Sequence, residues 1–187
     1  NFEAGSMVES VAPSITLDPA DAMVVTGQTA TFSAAAAGTP APLFQWEEFV
    51  GGSWQTIGGA TSASYTTPPT SPSDNGKQFR CAATNSAGSA TSAAATLTVN
   101  EPPIASFTAP TTVGLVPLTA NFSDTSTGTV SSWSWNFGDS GTSTLQNPSH
   151  AYAAAGIYDV SLTVTGPCGS DAVTQVGYIT ANNVVPQ

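Results

Sequence analysis

A single histidine, His150, occurs in the 187 residues, so any nucleophile–histidine–acid relay would have to be built on it. No Gly-x-Ser-x-Gly elbow, the strained turn that presents a serine nucleophile, accompanies it. Cleavage of a glycosidic bond needs two carboxylates facing one substrate. Glu47 and Glu48 are adjacent, and adjacent residues of an extended strand point to opposite faces, so they cannot form that pair. The other acids are scattered singly, and the chain offers no ligand set for zinc or haem. Cys81 lies mid-strand and is expected to be buried, whereas Cys168 lies in a Gly166-Pro167-Cys168-Gly169 turn. Two free thiols are the simpler expectation, and a Cys168 bridge to another chain the sharper one. Trp54, flanked by Gly51-Gly52 and Gly58-Gly59, could stack on a sugar ring or pack over the edge of its own sheet. These residues assign no catalytic group and no cofactor, and the chain is read as a non-enzyme.

The elements that would hold such groups are strands. In Trp133-Ser134-Trp135-Asn136-Phe137-Gly138-Asp139, three aromatic rings alternate with polar residues and so share one face of a strand. Gly138 permits a sharp exit and Asp139 can hydrogen-bond its own turn. Short alternating runs of this kind recur along the chain, separated by Gly, Pro, Asn and Asp, with spacings of about 8–12 residues that describe β-sandwiches. Thr29 to Ala34, Leu43 to Trp46, Gln78 to Cys81, Ala94 to Val99, Leu118 to Ser123 and Tyr158 to Val164 are examples.

Composition removes whole classes of partner. Only 7% of the residues are charged, the formal net charge is -10, and Lys77 and Arg80 are the only Lys or Arg side chains. A nucleic-acid groove needs many cations to neutralise phosphates, and an anionic membrane surface would repel this chain. No apolar run is long enough to span a bilayer. With 40% hydrophobic residues and aromatics throughout, the chain is nevertheless expected to fold. The neutral, Thr-rich character of the predicted strands suits a secreted protein, extracellular or on the cell surface.

Over residues 13–99 the sequence resembles the immunoglobulin-like domains of bacterial surface proteins. Trp46 matches the core tryptophan of strand C, and Asp74-Asn75-Gly76-Lys77-Gln78-Phe79-Arg80-Cys81 matches the Asp-x-Gly-x-x-Tyr-x-Cys signature of strand F. Phe79 stands where a corner tyrosine is usual. Ala34 or a neighbour stands where the partner of Cys81 would be.

Asn100-Glu101-Pro102-Pro103 is read as a short, stiff linker. Residues 104–181 resemble a PKD (polycystic-kidney-disease) domain, through Trp135-Asn136-Phe137-Gly138-Asp139, Asn147-Pro148-Ser149-His150-Ala151-Tyr152 and the Gly156-to-Val164 strand, in that order. Ser140 replaces the glycine usual after the first motif. The resemblance implies that His150 satisfies local structure and that Trp135 and Phe137 are core residues. It also points to Asp124-Thr125-Ser126-Thr127-Gly128 as the loop that binds calcium in some relatives. Here Asp124 is its one acid, so it would form only a weak calcium site or a simple Asx turn.

The expected fold is all-β: two tandem immunoglobulin-like sandwiches between an N-terminal extension, residues 1–12, and a C-terminal tail, residues 182–187. Apolar residues in or near these tails, Met7, Val8, Val11, Val184 and Val185, suggest packing against an identical subunit by strand addition. The expected function is a non-catalytic structural protein, a subunit or stalk of a homopolymeric surface filament or layer. The alternative is a substrate-binding accessory region of a secreted polysaccharide- or protein-degrading enzyme, or an adhesin spacer.

Overall fold

The computed structural model describes residues 9–183. The chain divides into two compact units between Asn100 and Glu101. Both are β-sandwiches, and a 3-10 turn at Pro72–Asp74 is the one helical element among the described residues.

In the first unit the strands are β1 (Val11–Leu17), β2 (Ala22–Val25), β3 (Thr31–Ser33), β4 (Ala35–Thr39) and β5 (Leu43–Val50). They continue with β6 (Ser53–Thr56), β7 (Ser64–Thr66), β8 (Gln78–Asn85), β9 (Gly88–Thr91) and β10 (Ala95–Asn100). The main sheet runs β2-β10-β8-β5-β6, with β9 also on β8, while β3 pairs β7 and β1 pairs β4. Alternation fixes which side is core: Phe79, Cys81 and Ala83 of β8 are buried, and Gln78, Arg80 and Ala82 between them are not. Across the core, Phe32 of β3 meets Phe79 at 4.9 Å between ring centroids, and Tyr65 of β7 meets it at 5.5 Å. Trp46 is fully buried, and its indole N–H donates to the Ser62 carbonyl at 2.9 Å, so the large ring is buried without an orphaned donor.

The second unit contains β11 (Phe107–Thr108), β12 (Val113–Leu115), β13 (Leu118–Asn121), β14 (Ser123–Asp124) and β15 (Ser132–Asn136). It ends with β16 (Thr142–Ser143), β17 (Ser149–Tyr152), β18 (Gly156–Gly166) and β19 (Gly169–Asn182). A five-stranded sheet, β12-β19-β18-β15-β16, is accompanied by the pairs β13-β17 and β11-β14. In both units an early strand lies parallel to the last one, β2 on β10 and β12 on β19. The aromatic core joins Phe107, Phe122, Trp135, Phe137 and Tyr152 to Val160, Leu162, Val164 and Ile179.

Two segments differ from the sequence reading. β1 begins at Val11, whose register partner is Thr39, so this residue of the expected extension is part of the first unit. The expected linker is divided between the units. Asn100 ends β10, is buried, and its carbonyl accepts the Thr26 N–H at 3.0 Å. The Glu101 N–H donates to Thr129 Oγ1, and its carbonyl accepts the Thr129 N–H, each at 3.0 Å. The buried Asn100 needs a partner for its backbone carbonyl, and the turn after β2 supplies it.

Candidate functional site

The Trp133–Asp139 stretch is an anchor for its own domain. Trp135 and Phe137 are each 1% exposed, and Trp133 packs half-buried beside them. The Trp135 indole donates to the Leu145 carbonyl at 2.9 Å. The Trp133 indole donates to Asp124 Oδ2 at 2.8 Å, and Gln146 Nε2 donates to the same oxygen at 3.1 Å. Asp124 Oδ1 accepts the Ser126 N–H at 3.0 Å, an Asx turn. Burial pushes the Asp124 carboxyl up, but the donors from Ser126, Gln146 and Trp133 outweigh it and hold the group below its ordinary value. A carboxylate accepting three internal hydrogen bonds is a tie between β14, β15 and the loop before β17. Among the described residues no group of three or more His, Cys, Asp or Glu side chains converges as a metal cage would.

His150 and Asp139 do meet, with Nε2 and Oδ2 2.8 Å apart. The imidazole lies flat on Phe137, 4.2 Å between centroids and 11° between planes, with Tyr152 edge-on at 4.7 Å. Asp139 Oδ1 accepts the Gly141 N–H at 2.9 Å, and the Tyr152 hydroxyl donates to the Phe137 carbonyl at 3.1 Å. Burial raises the Asp139 carboxyl, but hydrogen bonds from His150 and Gly141 bring it below its usual range. The pair has two parts of a relay, yet its surroundings are an aromatic floor and backbone, with no hydroxyl or thiol bonded to the imidazole among the described residues. It clips the turn after β15 to β17. Ser140, in the place of the expected glycine, has φ +73°, in the left-handed region that this tight turn imposes.

In the first unit, adjacent Glu47 and Glu48 do point apart, and each has taken one of the two cations. Arg80 Nε contacts Glu47 at 2.7 Å on the outer face of the main sheet, with its guanidinium 4.4 Å from the Trp54 ring centroid. Phe49, 41% exposed, also packs against Trp54, tilted, with 5.1 Å between ring centroids. Trp54 is therefore partly covered by its own sheet. On the inner side, Lys77 Nζ bridges Glu48 at 3.0 Å and Asp74 at 2.9 Å. These three groups rim a recess of about 170 Å³ floored by Tyr65 and Phe79 and walled by Pro68 and Pro69. The Ser71 N–H, then Lys77 and the Ser71 hydroxyl, lower the Asp74 carboxyl to about 2. Burial raises the Tyr65 hydroxyl, reinforced by the Glu48 charge. Neither the recess nor the role of Tyr65 was read from the sequence. The nearest signals were the Pro68-Pro69 break and Lys77 as one of two cations.

Cys81 is fully buried and Cys168 partly exposed in the β18–β19 turn, both as free thiols, and burial pushes the Cys81 thiol up. Val11 is 53% exposed on β1. Met7, Val8, Val184 and Val185 lie outside the described residues.

Two β-sandwiches, each with its own aromatic core, define a tandem immunoglobulin-type β protein. Residues 13–99 match the immunoglobulin I-set domain and residues 100–181 match the PKD domain. The chain thus carries an immunoglobulin I-set domain followed by a PKD domain. Endoglucanase C of Cellulomonas fimi is 43% identical over 88 residues, which is 47% of this chain and 8% of that protein. Among solved structures, the N-terminal four Ig domains of Dscam1 isoform 6.9 align over 95% of this chain and 47% of that one, with TM-score 0.64 and 19% identity. Isoform 8.4 aligns over the same shares with TM-score 0.65 and 18% identity. At such identities these structures speak for the fold alone.

Proposed function

We propose that this chain is a non-catalytic extracellular accessory region serving a polysaccharide-degrading enzyme, acting as a spacer and as a contact to the substrate. The observation that carries this reading is the 43% identity to part of an endoglucanase. The chemistry of the side chains agrees with it. The carboxylates that could serve catalysis are engaged by internal partners, Glu47 by Arg80, Glu48 and Asp74 by Lys77, and Asp139 by His150. Near absence of cations suits a neutral substrate better than an anionic one. The test is depletion of the purified chain from solution by microcrystalline cellulose, chitin or insoluble xylan, together with sedimentation velocity. A monomer retained by at least one of these polymers supports the reading; a monomer retained by none removes the substrate-contact role.

Self-association is the second reading, supported by Val11 and Leu17, each 53% exposed on β1, which among the described residues pairs with β4 alone. Concentration-dependent species that disappear when both are replaced by Lys would favour a homopolymeric filament. A monomer at all concentrations would remove it.

A further inference from the structure

The recess of the first unit has three unspent hydrogen-bonding positions at its rim. Lys77 is an ammonium with three donors, and Glu48 and Asp74 take one contact each. Asp74 has its other oxygen on the Ser71 N–H and hydroxyl, both at 2.7 Å, so both of its oxygens already accept a hydrogen bond or ion pair. Glu48 reaches Lys77 through Oε1 only, and the Tyr65 hydroxyl has no hydrogen-bond partner among the described residues. One N–H donor, one carboxylate acceptor and one hydroxyl that can do either therefore surround an apolar floor.

The frame behind them is held by the backbone. The Thr70 hydroxyl and N–H both donate to the Gln28 carbonyl at 2.8 Å, and the Gly27 N–H donates to the Thr70 carbonyl at 2.7 Å. Thr67 Oγ1 accepts the Ala30 N–H at 3.0 Å. The wall is thus tied to the β2–β3 connection, and a wall held in place lowers the cost of binding.

Charge and size select the occupant. Two carboxylates and one ammonium leave the rim net negative, which opposes an anion. The ammonium stands between the carboxylates where a metal ion would have to bind, which opposes a cation. A volume of about 170 Å³ is below the roughly 300–1,000 Å³ of sites for drug-sized ligands, so it admits a single small ring. A neutral molecule with adjacent hydroxyls on an otherwise apolar ring answers all three conditions: each hydroxyl both donates and accepts, and the ring C–H groups meet Tyr65 and the prolines. We propose that this recess binds one ring of a neutral saccharide, presented at a chain end or branch. The proposal rests on the accessory-region reading for its substrate class and adds the site.

Nitrogen-15 amide spectra of the full chain, titrated with cellotetraose, xylotetraose and chitotetraose, test it. Saturable shifts centred on Tyr65, Thr67, Thr70 and Lys77 are expected with at least one of them by about 10 mM, a range in which millimolar complexes fill. Lys77→Met, Glu48→Gln and Tyr65→Phe should each weaken that binding about tenfold or more, and unchanged spectra elsewhere would show that the fold is kept. Glucose 6-phosphate and calcium chloride should leave these amides in place. The proposal is overturned if no neutral oligosaccharide moves these amides, if the three variants bind as the parent does, or if phosphate or calcium moves the same amides more strongly. Retention on an insoluble polysaccharide that survives all three substitutions would overturn this site while leaving the accessory-region reading intact. Loss of both would remove both.

Discussion

Replacing Gly138 by alanine measures how tightly the aromatic motif is locked into its sandwich. Gly138 has φ +85°, and a Cβ there would fall on the Asp159 carbonyl oxygen, 3.1 Å from its nitrogen and 3.3 Å from its carbonyl carbon. The left-handed backbone costs an alanine roughly 1–2 kcal/mol. The clash is with main chain of β18 rather than a flexible side chain, and overpacking of that kind adds about 1–3 kcal/mol. Restricting the unfolded chain returns about 0.4–1 kcal/mol. The sum is a loss of about 1–5 kcal/mol, centred on about 3. For a domain of this size each kcal/mol moves the melting temperature by about 4–8 °C, so the second domain should melt at least about 4 °C lower, and about 12 °C or more at the centre of that range. Gly59→Ala in the first domain is the matched control: φ is +77°, but nothing lies within 4 Å of its Cβ. It carries the backbone term alone, about 1 kcal/mol net. Scanning calorimetry of the full chain, with hydrogen exchange assigning each transition to a domain, reads both variants. Should Gly138→Ala lower its domain no further than Gly59→Ala lowers the other, the close approach of the motif to β18 is not a constraint and the reasoning fails.

Other perturbations address the polar ties. Asp74 is lowered from 3.8 to about 2 in the folded chain, so its ionised form stabilises the first domain above about pH 4, and that contribution disappears as pH falls from 3.8 towards 2. Asp74→Asn should flatten this acid limb in urea titrations across that range; an unchanged limb would count against the Ser71 and Lys77 contacts. Asp124→Ala removes the acceptor for Trp133, Gln146 and Ser126 and should cost the second domain about 1–3 kcal/mol, read from its urea midpoint, with an altered near-ultraviolet signal from Trp133. A loss below about 0.5 kcal/mol would place the Asp124 bonds among those that water replaces freely. Native alkylation should label Cys168 alone, while Cys81, fully buried with a raised thiol, should react only after unfolding. Labelling of Cys81 in the native state would contradict the core placement, and a Cys168 protected in non-reduced native material would indicate a bridge to another chain.

Much of the fold is written in side-chain alternation. Trp46, Phe79 and Cys81, and Trp135 and Phe137, could be placed in cores because period-two patterns and turn residues are local properties of a strand. β19 was not visible in this way. It is the longest strand, Gly169–Asn182, but most of its side chains are small or polar and its pairing with β18 shifts register between Tyr158 and Val160. Its conformation comes from hydrogen bonding to strands on both sides, β18 and β12, which no local pattern encodes. The same limit applies to the boundary at Asn100, where Pro-rich composition resembles a spacer and long-range partners, Thr26 and Thr129, decide otherwise.

The sequence by itself determined how few charged and titratable groups the fold has to arrange. One histidine and two Lys or Arg side chains leave too few cations for a phosphate-binding groove, and the adjacent acids Glu47 and Glu48 point to opposite faces of one strand. Tertiary structure decided which of those few groups meet. Asp139 and His150 are joined across a turn, Asp124 receives the Trp133 indole, and Lys77 is drawn between Glu48 and Asp74 beside Tyr65. Each of these contacts depends on strand register and on the crossing of layers, which set side-chain distances that residue order leaves open. The recess that unites Tyr65 with Lys77 comes from that packing, with residues of β5, β7 and β8 brought around one small volume.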